Sequence, residues 1–107
     1  MSEHTDRDHH PTLDLLHLKT FGAVAITGNF TRAAAQLGYS QPSVTHHIQT
    51  LERELRVALL TRERFSKSIV LTEAGRRLFE YSERLLALAD EAKAAVTATL
   101  PRGLSKV

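Results

Sequence analysis

Residues Thr31 to Leu55, TRAAAQLGYSQPSVTHHIQTLEREL, restrict the possible folds more than any other part of the chain. The stretch predicts two helices joined by a tight turn. Thr31 is expected to N-cap the first, its hydroxyl accepting from a first-turn N–H that has no partner within the helix. Arg32-Ala33-Ala34-Ala35-Gln36-Leu37 follows, rich in good helix formers. Gly38 ends that helix where a left-handed backbone is usual and glycine alone escapes a steric penalty. Ser40 is expected to cap the second helix. Pro42 lies in its first turn, where a missing N–H is harmless.

The second helix has two unlike faces. Val44, Ile48, Leu51 and Leu55 form one apolar stripe at helical spacing. Pro42, His46, Gln49 and Arg53 point away from it, flanked by Ser43, Thr45 and Thr50. This outward face is free of acid until Glu52 and Glu54. It offers hydroxyls, an amide, an imidazole and a guanidinium, the groups that hydrogen-bond base edges and phosphates. A short helix, a turn and a longer helix with such a face make a helix-turn-helix, whose second helix enters the major groove. The alternative is an αα-hairpin inside an all-helical domain, with an outer face that is polar only because it meets water.

With 107 residues the chain has room for one small domain, and 42% hydrophobic with 24% charged residues is ordinary for a globular protein. The lack of cysteine excludes a disulfide framework, a thiol nucleophile and a cysteine-based zinc site. No apolar run reaches membrane-spanning length, so no membrane partner is expected. The opening MSEHTDRDHHP is polar and mixed in charge, unlike a signal peptide, and a cytoplasmic protein is the expectation. The net charge of +2 is uneven: residues 12–72 hold seven basic against four acidic side chains. That mildly basic part contains the two-helix unit, which suits a phosphate-facing surface.

Residues 1–12 read as a disordered tail, in which Glu3, His4, Asp6, Asp8, His9 and His10 form no expected functional metal site. Residues 13–72 read as the globular part. Asp14 is expected to cap a helix from Leu15 to Thr27, with Leu15, Leu18, Phe21, Val24 and Ala25 as core and His17 and Lys19 solvated. Phe30 is expected to act as a hydrophobic staple before Thr31. Val57–Arg62 and Ser68–Leu71 are short β-prone runs around a basic tip, a hairpin that forms a wing on the helix-turn-helix. Arg62, Arg64 and Lys67 on it are candidates for the sugar-phosphate backbone, and Phe65 is unusual for a solvated turn.

Residues 73–99 read as one long helix capped by Thr72, with Glu73 against its positive end. Ala74, Leu78, Tyr81, Leu85, Leu88, Ala92, Ala95 and Thr99 alternate four and three apart, a heptad seam. A second stripe, Phe79, Leu86 and Ala89, is expected to face the body. So much apolar surface on so small a domain predicts homodimerisation, with Leu78, Tyr81, Leu85, Leu88 and Ala92 at the interface.

Taken in order, the sequence resembles the N-terminal DNA-binding part of LysR-type transcriptional regulators, over about Asp14 to Ala95. The resemblance rests on Leu15-x-x-Leu18-x-x-Phe21-x-x-Val24-Ala25, Gly28-x-Phe30-Thr31-x-Ala33-Ala34, Leu37-x-x-Ser40-Gln41-Pro42-Ser43-Val44-Thr45-x-x-Ile48, Leu51-Glu52-x-x-Leu55 and Leu71-Thr72-x-Ala74-Gly75. It implies a mainly α fold, a winged helix-turn-helix of three helices and a two-stranded wing, followed by a linker helix that pairs antiparallel in a dimer. It further implies binding of double-stranded DNA at an interrupted inverted repeat, with Thr31, Arg32, Ser40, Gln41, Pro42, Ser43, Thr45, His46 and His47 as contacts around the recognition helix. Base readout is expected from Gln41, Pro42, Ser43, Thr45, His46 and Gln49. Thr31, Arg32, Ser40, Arg53, Arg62, Arg64 and Lys67 are expected at phosphates. His47 lies nearer the apolar face, and packing competes there with DNA contact. Arg56 stands where the family usually has glycine, and Leu60 where phenylalanine is frequent. Residues 100–107 resemble a hinge leading to an effector domain, so a fragment of a longer parent is expected, with tetramers open to that parent.

Two other functions compete. One is an interaction module that works through the heptad helix alone. The other is an enzyme using Ser40, Ser43, His46 and His47, but no acid joins them at suitable spacing and no glycine-rich phosphate loop is present. Neither a catalytic residue nor a cofactor is expected.

Overall fold

The structure, a computed structural model, describes residues 12–65 and 68–99. Residues 1–11 of the expected tail with its histidines, Lys67 in the wing and the hinge at 100–107 lie outside the described residues. The elements run α1 (Leu15–Thr27), α2 (Phe30–Leu37), α3 (Gln41–Leu55), β1 (Leu60–Arg62), β2 (Ile69–Leu71) and α4 (Glu73–Ala98). This is a mainly helical winged helix-turn-helix extended by one long helix.

Short polar side chains set the helix starts. Asp14 accepts from the Leu16 N–H at 2.8 Å, and Ser40 accepts from the Ser43 N–H at 3.2 Å. Gly28 and Gly38 end α1 and α2 in the left-handed region, at φ 67° and 75°. The start of α2 differs from the sequence expectation. Asn29, not Thr31, is the N-cap, and its side chain accepts from the Arg32 N–H at 2.8 Å. Gly28 turns the chain at once, so Asn29 is the residue left extended ahead of the helix, and asparagine caps as well as threonine does. Phe30 thus becomes the first helical residue instead of a staple before the cap, although it still packs on the core.

Arg56 ends α3 with φ 58° and ψ 41°, and is the non-glycine residue with positive φ among those described. A Cβ in that conformation meets the following carbonyl oxygen. Arg56→Gly is therefore expected to stabilise the domain by about 0.5–1 kcal/mol, the relief of strain being partly offset by glycine's greater freedom when unfolded. An unchanged or lower denaturation midpoint would show that the Arg56 side chain supplies a compensating contact.

Leu18, Phe21 and Val24 of α1, Ala33 and Ala34 of α2, and Val44, Ile48 and Leu51 of α3 meet Leu59 in the core. Leu15 does not belong to it: as the first residue of α1 it is exposed, and Ala25 is only half-buried. His17 is also half-buried, not solvated, because α3 packs beside it. The antiparallel strands pair Leu60 with Leu71, Thr61 with Val70 and Arg62 with Ile69.

Thr72 joins the wing to α4. Its hydroxyl accepts from the Gly75 N–H at 3.0 Å and donates to the Ala58 carbonyl at 2.7 Å, while its own N–H donates to Leu59 O at 2.9 Å. Glu73 pairs with the Arg76 and Arg77 guanidiniums in the first turn. The hydrogen bond and charge of Arg76 hold its carboxyl below the usual range. That small, solvent-screened support is present above the ordinary glutamate pKa and fades as pH falls through the lowered one.

Only one side of α4 serves the body. Gly75 and Ser82 are buried, and Ala74, Leu78 and Phe79 pack against the core. Leu78, expected on the pairing seam, is thus half-buried on its own domain, because the first two turns of α4 lie across α1 and the wing base. From Tyr81 onward the apolar row stays open: Tyr81, Leu85, Leu88 (59% exposed), Ala92 and Val96.

Candidate nucleic-acid interface

Helix α3 buries Val44, Ile48 and Leu51, which leaves Gln41, Pro42, Ser43, His46, Gln49 and Arg53 exposed and Thr45 half-buried at the margin. The polar groups are held in order along the surface. Gln41 Nε2 donates to Thr45 Oγ1 at 3.0 Å, and Ser40 Oγ donates to Ser43 Oγ at 3.0 Å. Arg53 reaches back to Thr50 Oγ1 at 3.3 Å, near the C-terminal end. Each bond leaves lone pairs or N–H groups turned outward, so the row is preorganised without being used up.

The wing stands beside this row. An open groove between α3 and the hairpin is lined by Gln41, Thr45, Gln49, Glu52 and Arg62. A second cleft brings Asn29, Thr31, Gln41 and Arg62 together at the start of α2. Thr31 is therefore at the site although it is not the cap, and the first-turn N–H groups of α2 contribute partial positive charge there. Arg32 is exposed on the same turn. Arg64 and Phe65 lie at the wing tip, with the guanidinium carbon 6.0 Å from the ring centroid. Phe65 is 93% exposed, so it does not fold back onto the domain. The site thus unites α2, α3 and Arg62, while Arg53 stands apart at the far end of α3.

Two bonds were not legible in the sequence, although packing at His47 was one of its two open readings. Glu52 follows the outward face in sequence, yet its carboxylate turns inward and accepts from the N–H groups of Leu59 and Leu60 at 2.8 and 3.4 Å. It ties α3 to the first wing strand, and the position of acid directly after Leu51 was the only signal for it. His47 Nδ1 lies 2.8 Å from the hydroxyl of Thr20, a fully buried residue of α1. The ring is 4.7 Å from His17 and 5.4 Å, edge-on, from Tyr39. Burial first, then His17 and His46, push the His47 pKa down, with Asp14 opposing. His47 therefore packs, and the exposed imidazole is that of His46.

Of the serines and histidines in this stretch, Ser40 bonds Ser43, and His47 Nδ1 lies beside the Thr20 hydroxyl. Among the described residues, no group of three His, Cys, Asp or Glu side chains is arranged to hold a metal ion, and no helix is long and apolar enough to cross a membrane.

Residues 15–76 match the family described as bacterial regulatory helix-turn-helix protein, lysR family. The chain is 47% identical over 77 residues to a probable RuBisCO transcriptional regulator of Trieres chinensis, covering 72% of this chain and 24% of that protein. It is 45% identical over 80 residues to the HTH-type transcriptional regulator BudR of Raoultella terrigena, covering 75% and 27%. The chain thus spans about a quarter of the length of these curated relatives. Among solved structures, it resembles the crystal structure of the CbnR_DBD–DNA complex with a TM-score of 0.73 at 41% identity, over 80% of this chain and 97% of that one. The BenM_DBD/catB site 1 DNA complex matches with a TM-score of 0.73 at 35% identity, over 79% and 89%.

Proposed function

Since the chain belongs to the lysR family of bacterial regulatory helix-turn-helix proteins, we propose that it is the sequence-specific DNA-binding module of a cytoplasmic transcription regulator and binds an interrupted inverted repeat as a homodimer. The single observation that carries this reading is the outward row of α3. It is exposed, hydrogen-bonded in order, and continuous with a cleft where the α2 N-terminus meets Arg62. Relatives of the same fold have been crystallised on DNA.

In this reading α3 enters the major groove. Gln41, Ser43, Thr45, His46 and Gln49 sample base edges, and Pro42 offers apolar contact to a thymine methyl. Thr31, Arg32, Ser40, Arg53, Arg62, Arg64 and Lys67 hold phosphates and set register. The α4 helices of two chains pair through Tyr81, Leu85, Leu88 and Ala92 and fix the half-site spacing. Glu52 adds a constraint of its own: by bonding the Leu59 and Leu60 N–H groups it keeps the wing at a set angle to the helix.

His46→Ala tests the readout. It is expected to reduce discrimination between a preferred and a scrambled duplex by about 1–3 kcal/mol, with little change in the salt-dependent background. Mobility shifts with both duplexes measure it. Unchanged affinity and selectivity would remove His46 from the readout.

A further inference from the structure

His47 has no part in the readout just proposed, yet its imidazole joins α3 to α1 by a hydrogen bond. Thr20 is fully buried, and its Oγ1 lies 3.2 Å from the Leu16 carbonyl and 2.8 Å from His47 Nδ1. A hydroxyl has one hydrogen, and a carbonyl can only accept. Both contacts are hydrogen bonds together only if Thr20 donates to Leu16 O and accepts from an Nδ1–H of His47. That tautomer leaves Nε2 as a lone-pair acceptor.

We propose that His47 is a positioning residue of the recognition helix: held as the neutral Nδ1–H tautomer by Thr20, it fixes the rotation of α3 about its axis and so the angle at which the neighbouring His46 meets the base edges. The inference rests on the DNA reading for its consequence, but not for its geometry. The rotation matters because His46 and His47 are adjacent on the helix, with ring centroids 6.4 Å apart. A small turn of α3 that stretched the buried bond would swing the whole outward row.

An imidazolium keeps its Nδ1–H, so acid leaves the bond to Thr20 in place and acts on the packing around the ring instead. From α1 and its N-cap come His17, tilted against the ring at 4.7 Å, and Asp14, which sits 3.8 Å from His17 Nε2. From the turn before α3 comes the Tyr39 ring, and from α3 itself His46. Three imidazoles against one carboxylate repel when charged. With its pKa below the ordinary histidine value, neutral His47 supports the native packing fully above that value, and the support is lost as pH falls through the lowered one.

The test uses the 107-residue chain, a duplex selected from a random pool, and a scrambled duplex of equal composition. The imidazole nitrogen shifts of the free protein should report His47 as the Nδ1–H tautomer, and Thr20→Val should shift it toward Nε2–H. Thr20→Val is nearly isosteric and should lower the selected-to-scrambled binding ratio by about threefold to tenfold at about pH 7.5, the worth of one buried hydrogen bond. His47→Asn replaces Nδ1–H by an amide N–H that does not titrate. It should keep the ratio within about twofold at that pH and remove most of the fall expected of the parent chain at about pH 5.5. An Nε2–H tautomer in the parent chain overturns the anchor, as does a Thr20→Val protein with unaltered tautomer and ratio. A His47→Asn protein that keeps the parent's full acid loss overturns the acid sensitivity. If the parent chain binds no duplex at any pH, the DNA reading fails, and the tautomer measurement still decides the anchor.

Discussion

Alanine at position 75 is expected to destabilise the domain by about 3 kcal/mol or more, a large part of the stability of a small domain. A Cβ there would collide with the Leu59 carbonyl oxygen and stand 3.1 Å from its carbon and 3.2 Å from Leu71 Cδ2. The oxygen has no room to retreat. It accepts from Thr72 N at 2.9 Å, the Leu59 N–H is bonded to Glu52, and the Leu59 side chain is in the core. Either α4 lifts off or the base of the wing opens. Gly22→Ala is the matched control: nothing lies within 4 Å of its added methyl. In the middle of α1 it should stabilise by about 0.5–1 kcal/mol through helix propensity. Denaturant titrations of the two variants should move in opposite directions. A Gly75→Ala protein within about 0.5 kcal/mol of the parent chain would mean that the wing base is not packed against the first turn of α4.

The double substitution Leu85→Glu, Leu88→Glu is expected to make the protein monomeric and to weaken binding to a two-half-site duplex by about a hundredfold or more, the advantage lost with the second site. Both residues are exposed on the free side of α4, so each chain should keep its fold. Tyr81 continues the row, its ring 5.0 Å from the Arg84 guanidinium carbon. Apolar side chains at this spacing along a helix that extends past its own domain need a second surface, and four glutamates across a two-fold axis would repel. Light scattering and a mobility shift on the same samples measure the two effects. A variant that stays dimeric would move the interface elsewhere. A monomeric variant with unimpaired affinity would mean that one half-site suffices.

The parts legible in the sequence were those decided within a few residues. Asp14, Ser40 and Thr72 cap the helices they precede, and Gly38 closes α2, because each is a local bond or a local backbone requirement. The outward row of α3 followed from its apolar opposite face. Where two good caps stand two residues apart, as Asn29 and Thr31 do, local chemistry does not choose, and the left-handed Gly28 decides. The division of α4 was not legible either. A heptad pattern predicts an apolar seam without saying which chain covers it, and Leu78 went to its own core while Leu88 stayed open. The bonds of Glu52 to the wing and of His47 to Thr20 were hidden for a different reason. Neither is set within one element: Glu52 reaches seven and eight residues on, across the turn into β1, and His47 and Thr20, 27 residues apart, meet only once α1 and α3 are packed.

Selection of bound duplexes from a random pool, at near-physiological salt, tests most directly whether the exposed row of α3 reads DNA as a symmetric pair. The expected outcome is enrichment of two short half-sites in inverted orientation at one fixed separation, with binding that weakens as salt rises. A pool that emerges unenriched, with every sequence retained equally and released together by salt, would contradict it.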